Sequence, residues 1–313
     1  MQDIEKKLVE IFGQENVSVK EPMSRHTTFR IGGPADIYVT PQTKEKLAEA
    51  VVWLRKAGAV YEIIGNGSNL LVSDDGFKGV IFDMSKHLNK YSFLHDECNS
   101  AVDKSNMVYV SAQAGVMLSR LGKEMASNSL SGFEFATGIP GTIGGAVMMN
   151  AGAYGGEMKD VLINATVLDK EGNIKTLSNE ELELGYRTSI IEKAGYIVLE
   201  AVIALMPDSQ LAVEERIADF AQRRREKQPL EYPSAGSTFK RPEGYFAGKL
   251  ISDAGLKGFS VGNAQVSEKH AGFVINRGGA TAADVIALTD YVKNKVKELY
   301  GVELTLEVKK LGF

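Results

Sequence analysis

Residues 137–146 read TGIPGTIGGA, and the glycine-rich stretch continues through residues 150–156, which read NAGAYGG. Eight glycines lie from Gly132 to Gly156, with apolar residues between them. Because glycine has no Cβ atom, such a backbone can lie directly against a flat or phosphorylated ligand. The stretch therefore favours a buried cofactor site, and a glycine-rich packing corner is the alternative.

A second glycine cluster precedes this stretch. Residues 65–69 (GNGSN) directly follow a predicted strand at residues 61–64 (YEII). Glycines at such a position let the backbone turn and offer N–H groups to a diphosphate, although an ordinary turn has the same composition. The segment does not match the dinucleotide-binding fingerprint GxGxxG, because Leu70 stands where the third glycine is required. No GxxxxGK[ST] sequence occurs, which argues against a P-loop nucleotide hydrolase.

The 313-residue chain has the composition of a globular protein, with 44% hydrophobic and 24% charged residues, and is long enough for about two domains. Its net charge of −4 argues against a general nucleic-acid binder, although local basic clusters can hold a small anion. Cys98 is the only cysteine, so no disulfide can form within the chain, which fits a reducing compartment. It lies in a polar stretch, residues 95–100, and we interpret it as an incidental loop residue.

The first residues predict an amphipathic helix. Four apolar side chains share one helical face: Ile4, Leu8, Ile11 and Phe12. A signal peptide would need a basic start and an unbroken apolar core, and no stretch approaches the roughly 18 apolar residues of a membrane span. We therefore expect a cytoplasmic monomer with no membrane partner and no nucleic-acid partner.

Helix and strand patterns follow one another along the chain. Thr43 is predicted to cap a helix that ends at Gly58, and Thr281 a helix that ends at Gly301. Residues 302–308 alternate apolar and polar side chains, which predicts a final strand.

Seven short segments stand out along the chain: residues 28–33 (TFRIGG), 65–71 (GNGSNLL), 139–145 (IPGTIGG), 185–189 (GYRTS), 235–242 (AGSTFKRP), 248–251 (GKLI) and 266–273 (VSEKHAGF). They resemble segments of the UDP-N-acetylenolpyruvoylglucosamine reductases, in the order that this family has them. Each segment alone is weak evidence for the family, but the seven segments occur in the family's order and span most of the chain. The family's short form is expected, because the 50 positions from Arg187 to Ser237 leave no room for an inserted loop that carries a tyrosine over the substrate.

The resemblance implies an α+β fold. A two-lobed FAD-binding domain of the vanillyl-alcohol-oxidase (PCMH-like) type is expected, followed by an α+β substrate-binding domain. A break in the pattern near Pro207 sets the predicted boundaries. They give an N-terminal helix and lead-in at residues 1–27, the FAD-binding domain at residues 28–207 and the substrate-binding domain at residues 208–313.

The resemblance also implies the reaction. Hydride passes from NADPH through non-covalently bound FAD to the enolpyruvyl ether of UDP-N-acetylenolpyruvoylglucosamine, which becomes UDP-N-acetylmuramate for peptidoglycan synthesis. Arg187 matches the family's cation beside the substrate carboxylate, Ser237 its proton donor, and Glu307 a glutamate that helps to stabilise the intermediate. Without the resemblance they would be a surface arginine, a turn serine and part of a solvated strand face.

The matching segments also carry the expected binding residues. Those expected to bind FAD are Arg30, Gly65, Asn66, Gly67, Ser68, Asn69, Leu70, Thr137, Ile139, Pro140, Gly141, Thr142, Gly144, Gly145, Asn150, Ala151 and Gly152. Those expected to bind the substrate, with its UDP diphosphate, are Tyr186, Lys227, Arg241, Lys249 and His270. No metal site is expected.

Two other functions remain open. A flavin oxidase with the same FAD fold often attaches FAD through a histidine near the first glycine loop, but no histidine lies between Tyr61 and Lys86. A non-catalytic nucleotide-binding module would not need Arg187, Ser237 and Glu307 together.

Overall fold

The computed structural model describes residues 1–94 and 106–313. Cys98 and the interpretation given to it lie outside the described residues. The chain forms two compact units. Unit 1 consists of Met1–Ser18, Tyr38–Asn66 and Ile81–Gln222, and unit 2 of Val19–Ile37, Gly67–Val80 and Arg223–Phe313. Unit 1 thus continues past Pro207, and the boundary placed there from the sequence stays a prediction.

The described residues form eight α-helices and seventeen strands. The helices are α1 (Gln2–Phe12), α2 (Lys44–Lys56), α3 (Leu118–Ser127), α4 (Ile143–Met148), α5 (Ile190–Ala194), α6 (Gln210–Lys227), α7 (Ala247–Asp253) and α8 (Ala282–Tyr300). The strands are β1 (Val17–Pro22), β2 (Pro34–Val39), β3 (Tyr61–Ile64), β4 (Leu70–Val72), β5 (Phe77–Asp83), β6 (Tyr91–Leu94), β7 (Val108–Gln113), β8 (Leu130–Ser131), β9 (Gly152–Ala153), β10 (Gly156–Glu157), β11 (Leu162–Leu168), β12 (Ile174–Ser178), β13 (Ile197–Pro207), β14 (Ser260–Val261), β15 (Ala264–Val266), β16 (Val274–Asn276) and β17 (Lys309–Leu311). No described helix has both the length and the apolar character needed to span a membrane.

A four-stranded sheet has the order β1-β2-β5-β3. Unit 1 holds a larger antiparallel sheet with the order β12-β11-β13-β7-β6, and β8 pairs with the end of β13. In this sheet Ala201 of β13 pairs with Ala165 of β11 and with Ala112 of β7, and all three alanines are buried. Helix α4, which carries Gly144 and Gly145 of the glycine-rich stretch at residues 137–156, packs against β13 and β7. This sheet therefore supports the glycine-rich segment.

Helix α1 is the predicted amphipathic opening helix, and it packs on α2 in unit 1. The ring centroid of Phe12 lies 5.9 Å from that of Phe82, and the ring of Tyr61 lies 6.2 Å from the same phenylalanine. Offset and edge-on aromatic pairs of this kind are favourable beyond their burial.

Unit 2 is built around α8. This helix packs against α7 and the β14-β15-β16 sheet over a core that includes Phe29, Leu71, Phe239, Ile251 and Leu288. Strand β4 runs parallel to β17, with Leu70 opposite Lys309. Residues from the start, middle and end of the chain therefore share one core.

The start of α8 is capped twice. Thr281 Oγ1 accepts a hydrogen bond from the N–H of Asp284 at 3.0 Å, and the Asp284 carboxylate accepts one from the N–H of Thr281 at 3.0 Å. The carboxylate of Asp74 also accepts bonds from the N–H groups of Ala282 (2.8 Å) and Ala283 (3.0 Å). Four otherwise unpaired groups at this helix end are thus satisfied.

The prediction of a continuous strand at residues 302–308 is wrong. The alternation is real, since Leu304 and Val308 are buried while Glu303 and Thr305 are exposed. The segment makes only an isolated bridge, between Leu306 and Phe239, and the regular strand begins at Lys309. Period-two burial shows that a chain is extended, but a strand also needs a neighbour in register along its length.

Candidate active site

In unit 1 the glycine cluster at residues 65–69 meets the glycine-rich stretch at residues 137–146. Asn66 Nδ2 donates a hydrogen bond to the carbonyl of Pro140 at 2.8 Å. A Cβ atom on Gly65 would collide with the side chain of Thr142, which is buried. The close approach of these two segments therefore requires glycine at position 65.

The first turn of α4 is packed on one side and open on the other. The N–H of Gly144 donates to the carbonyl of Ala114 at 2.8 Å, and a Cβ atom at this position would press on Ala114. A Cβ atom on Gly145 would find only Thr142 Oγ1, at 4.0 Å, and Gly145 is exposed. Backbone that is open in this way can take a flat or phosphorylated group against it, so the residues fit FAD.

Asn150 ties this stretch to the turn that carries Arg187. It is fully buried, and its Nδ2 donates to the carbonyl of Gly185 at 3.1 Å and to Glu157 Oε2 at 2.7 Å. Its Oδ1 accepts a bond from the N–H of Lys159 at 2.9 Å. Because every polar atom of the amide is bonded, Asn150 fixes both segments.

Arg187 lies beside the expected FAD-binding residues of unit 1. Its Nη2 donates to the carbonyl of Gly152 at 3.4 Å, and its guanidinium carbon lies 5.3 Å from the ring centroid of Tyr186. Its φ of 53° is uncommon for a residue with a side chain, and surrounding structure must impose it. The structure thus brings Tyr186, Arg187 and residues 150–152 together.

In unit 2, Gly67 of the cluster at residues 65–69 lies against residues 26–28. The carbonyl of Gly67 accepts a hydrogen bond from the N–H of Thr28 at 3.2 Å, and a Cβ atom on Gly67 would collide with the carbonyl of His26. Arg30 is exposed and has a φ of 56°. The family-like segments at residues 28–33 and 65–71 are therefore adjacent.

The segment that follows Ser237 lies beside Glu307 in unit 2. The N–H of Glu307 donates to the carbonyl of Thr238 at 2.9 Å, and the carbonyl of Glu307 accepts a bond from Asn69 Nδ2 at 3.0 Å. Ser237 is exposed and Glu307 is half-buried. One short chain of hydrogen bonds therefore links Asn69, Glu307 and Thr238, and Thr238 directly follows the expected proton donor.

Three family-like segments of unit 2 meet around Thr238 and His270. Its N–H donates to the carbonyl of Gly272 at 2.8 Å, and the N–H of Gly272 donates to His270 Nδ1 at 3.1 Å. A Cβ atom on Gly248 would lie 3.4 Å from His270 Cε1. Segments 235–242, 248–251 and 266–273 are thus packed together.

The imidazole of His270 has a lowered pKa. Burial lowers the pKa of its imidazole below the ordinary 6.5, and the nearby Lys257 lowers it further. Because Nδ1 accepts from Gly272, the neutral ring carries its proton on Nε2. The lowered pKa makes His270 less suited than a lysine or an arginine to supply positive charge to a diphosphate.

The other expected substrate-binding residues of unit 2 are exposed. Lys227 ends α6, and Lys249 Nζ lies 2.8 Å from Asp253 Oδ2, a hydrogen bond that raises the pKa of the amine. The guanidinium carbon of Arg241 lies 3.9 Å from the ring centroid of Phe246.

The expected catalytic residues belong to both units. Arg187 is part of unit 1, and Ser237 and Glu307 are part of unit 2. Sequence reasoning missed two aromatic contacts: Tyr154 stacks on Phe220 in unit 1 with ring centroids 4.6 Å apart, and Phe246 lies against Arg241 in unit 2. No local signal marks them, because stacking between residues distant in sequence or across a turn depends on the folded backbone.

Two family models match the chain. The model described as the C-terminal domain of UDP-N-acetylenolpyruvoylglucosamine reductase matches residues 228–311, and the model described as an FAD-binding domain matches residues 35–178. The expected fold class is thereby confirmed: a PCMH-like FAD-binding domain is followed by the α+β C-terminal domain of these reductases.

Relatives match over nearly the whole chain. A UDP-N-acetylenolpyruvoylglucosamine reductase from Clostridium perfringens (strain SM101 / Type A) is 53% identical over 98% of this chain and 97% of its own length. The enzyme of that name from Agathobacter rectalis is 50% identical, with 98% of each chain covered. The crystal structure of the reductase from Thermus caldophilus superposes with a TM-score of 0.76 at 34% identity, over 94% of this chain and 98% of that one. The chain belongs to the UDP-N-acetylenolpyruvoylglucosamine reductase family.

Proposed function

We propose that this protein reduces the enolpyruvyl ether of UDP-N-acetylenolpyruvoylglucosamine to UDP-N-acetylmuramate, a peptidoglycan precursor, with FAD as cofactor and NADPH as hydride donor. The observation that best supports this proposal is that Glu307 is hydrogen-bonded to both Thr238 and Asn69 in unit 2. It supports a shared site for cofactor and acid–base residues, in a chain 53% identical to a reductase of this name.

Arg187 has the task of stabilising charge. Bound FAD would supply the hydride that it receives from NADPH. Addition of that hydride to the methylene carbon leaves negative charge on the carbon next to the substrate carboxylate. A guanidinium beside the carboxylate spreads this charge, and the bond to the Gly152 carbonyl holds Arg187 in place beforehand.

Ser237 has the task of donating the proton. A serine hydroxyl is a weak acid, but it suffices against a strongly basic, carbanion-like carbon. Ser237 is exposed in unit 2, which supports access to a ligand, and Thr238 next to it is anchored on both sides. Glu307, half-buried beside Thr238, assists the stabilisation of the intermediate.

Binding is assigned to the residues expected from the sequence. The FAD site is assigned to Arg30, residues 65–70, residues 137, 139–142, 144 and 145, and residues 150–152. Lys227, Arg241 and Lys249 supply positive charge for the UDP diphosphate, while Tyr186 and His270 contribute polar contacts.

We also propose that the protein is of the short form, with no tyrosine-bearing loop between Arg187 and Ser237. It acts as a cytoplasmic monomer. Its FAD-binding domain extends over residues 28–207 and its substrate-binding domain over residues 208–313.

An anaerobic spectral titration tests the reaction. Purified holoenzyme is mixed with NADPH and then with UDP-N-acetylenolpyruvoylglucosamine, while the visible flavin absorption is recorded. The flavin band should bleach with NADPH and return with the sugar, because the sugar accepts the stored hydride. A band that bleaches and stays bleached would retain a flavoenzyme but reject this substrate, and a protein that binds no FAD would reject the proposal as a whole.

A further inference from the structure

Arg241 and Phe246 form an exposed stacked pair in unit 2. The guanidinium carbon of Arg241 lies 3.9 Å from the Phe246 ring centroid, and Arg241 Nε donates to the carbonyl of Tyr245 at 3.3 Å. Phe246 is 59% exposed, although a phenylalanine ring gains most when it is buried. The ring therefore covers the arginine and adds little to the core.

Both ends of this pair are fixed by backbone contacts. The N–H of Lys240, next to Arg241, donates to the carbonyl of Thr305 at 2.9 Å. The carbonyl of Phe246 accepts bonds from Lys249 (3.0 Å) and Leu250 (3.1 Å) at the start of α7. The buried side chains of α7 join the core of unit 2, so the phenylalanine ring stands on an anchored base.

Stacking and hydrogen bonding use different parts of a guanidinium. The ring lies against the flat face of the group, whereas its N–H donors point outward in the plane, where they match phosphate oxygens. A stacked arginine has also lost much of its rotamer freedom before a ligand arrives, so less entropy is lost on binding.

We propose that Phe246 is a positioning residue: it holds the Arg241 guanidinium ready for the diphosphate of the UDP-sugar. The inference rests on the proposed function, which supplies the diphosphate ligand, and it extends the site by a residue outside the family-like segments. Phe246 acts through Arg241 and makes no contact with the base.

Binding and kinetics of the holoenzyme test this role. Phe246→Leu should raise the Kd for UDP roughly 2- to 10-fold, as for loss of an exposed cation–π contact and its pre-ordering. The KM for the UDP-sugar should rise with it, whereas the rate constant for flavin reoxidation at saturating sugar should stay unchanged. Phe246→Tyr should keep wild-type values, because it keeps the ring.

Two comparisons separate positioning from other roles. In an Arg241→Met background, Phe246→Leu should cause no further loss of UDP affinity, since its effect passes through the arginine. Inhibition by uridine, which has no phosphate, should be equal in wild type and Phe246→Leu. The matched control is Phe313→Leu, because Phe313 is 60% exposed in unit 2 with Lys310 Nζ 5.4 Å from its ring centroid, and it should leave UDP binding unchanged.

The opposite results would overturn the inference. An additive loss in the Arg241→Met background, or weaker uridine inhibition, would mean that Phe246 contacts the base directly. An unchanged UDP affinity in Phe246→Leu would mean that the ring has no role in binding. If wild-type enzyme fails to turn over the UDP-sugar while these UDP results hold, the proposed function fails and the positioning role stands.

Discussion

At the scale of single residues, the proton donor gives the sharpest test. Ser237→Ala removes the hydroxyl and leaves the backbone bonds of Thr238 unchanged, so FAD should still bind and NADPH should still reduce it. Turnover of the UDP-sugar should fall by about 10²- to 10⁴-fold, the usual contribution of a positioned acid. Stopped-flow measurement of the two half-reactions separates the effects.

Ser234 provides the control for this substitution. It lies in the same loop, and its carbonyl accepts a hydrogen bond from Thr28 Oγ1 at 2.7 Å, so it serves the structure through its backbone. Ser234→Ala should leave both half-reactions near wild type. Equal losses in the two variants would mean that the loop is merely perturbed and that Ser237 is no acid.

His270 predicts a pH dependence of stability. Burial lowers its pKa, so the folded protein favours the neutral ring. As the pH falls below about 6.5, the unfolded chain takes up this proton before the folded protein does, and the free energy of unfolding decreases until the folded pKa is passed. Urea unfolding of the FAD-saturated protein at pH 7.5 and pH 5.5 should show a smaller acid loss in His270→Asn. An identical loss in both proteins would contradict this account.

The sequence identifies the types of the site residues better than their environments. Gly65 and Gly67 are recognisable as turn glycines, and the structure adds the reason for each, a close approach by Thr142 and by the His26 carbonyl. The lowered pKa of His270 was not foreseen, because it depends on burial and on the nearby Lys257, which only the folded chain reveals. The stacking of Phe246 on Arg241 was missed because it depends on the conformation of the turn between them, which no sequence pattern marks.

At the scale of elements, we expect the cap of α8 to contribute measurably to the free energy of unfolding. Thr281→Ala deletes the hydroxyl that accepts the N–H of Asp284, and the free energy of unfolding should fall by about 1 kcal/mol. Urea unfolding measures the change. Thr305→Ala, an exposed threonine outside any helix, serves as the control and should change stability by less than about 0.5 kcal/mol. Equal effects in the two variants would mean that the cap contributes nothing specific.

Local signals predicted the helices well and the last strand poorly. Thr43 and Thr281 accept the capping bonds expected of them, and Gly58 and Gly301 adopt positive φ after α2 and α8. These features depend on residues within one turn of each other. The segment 302–308 alternates like a strand, yet its pairing is decided by a partner at residues 238–240 that no local pattern reveals.

At the scale of the whole molecule, cofactor binding should contribute to stability. FAD binds the folded chain and not the unfolded one, so ligand at about 100 times its Kd adds about 2.7 kcal/mol to the free energy of unfolding. Removal of FAD should lower the midpoint of thermal unfolding, and added FAD should restore it.

Riboflavin is the matched control, because it keeps the flavin ring but lacks the diphosphate that the glycine-rich segments are proposed to bind. It should restore less of the midpoint than FAD at equal concentration. An apoprotein that unfolds at the same temperature with and without FAD would contradict the proposed cofactor site.

The parallel pairing of β4 with β17 has a consequence for synthesis of the protein. Strand β4 is made early, and residues 309–311 leave the ribosome only after most of the chain. Until then β4 lacks this partner and presents an unpaired edge, which is the kind of surface on which nascent chains associate wrongly. Unit 2 therefore completes its fold only after β17 has been made.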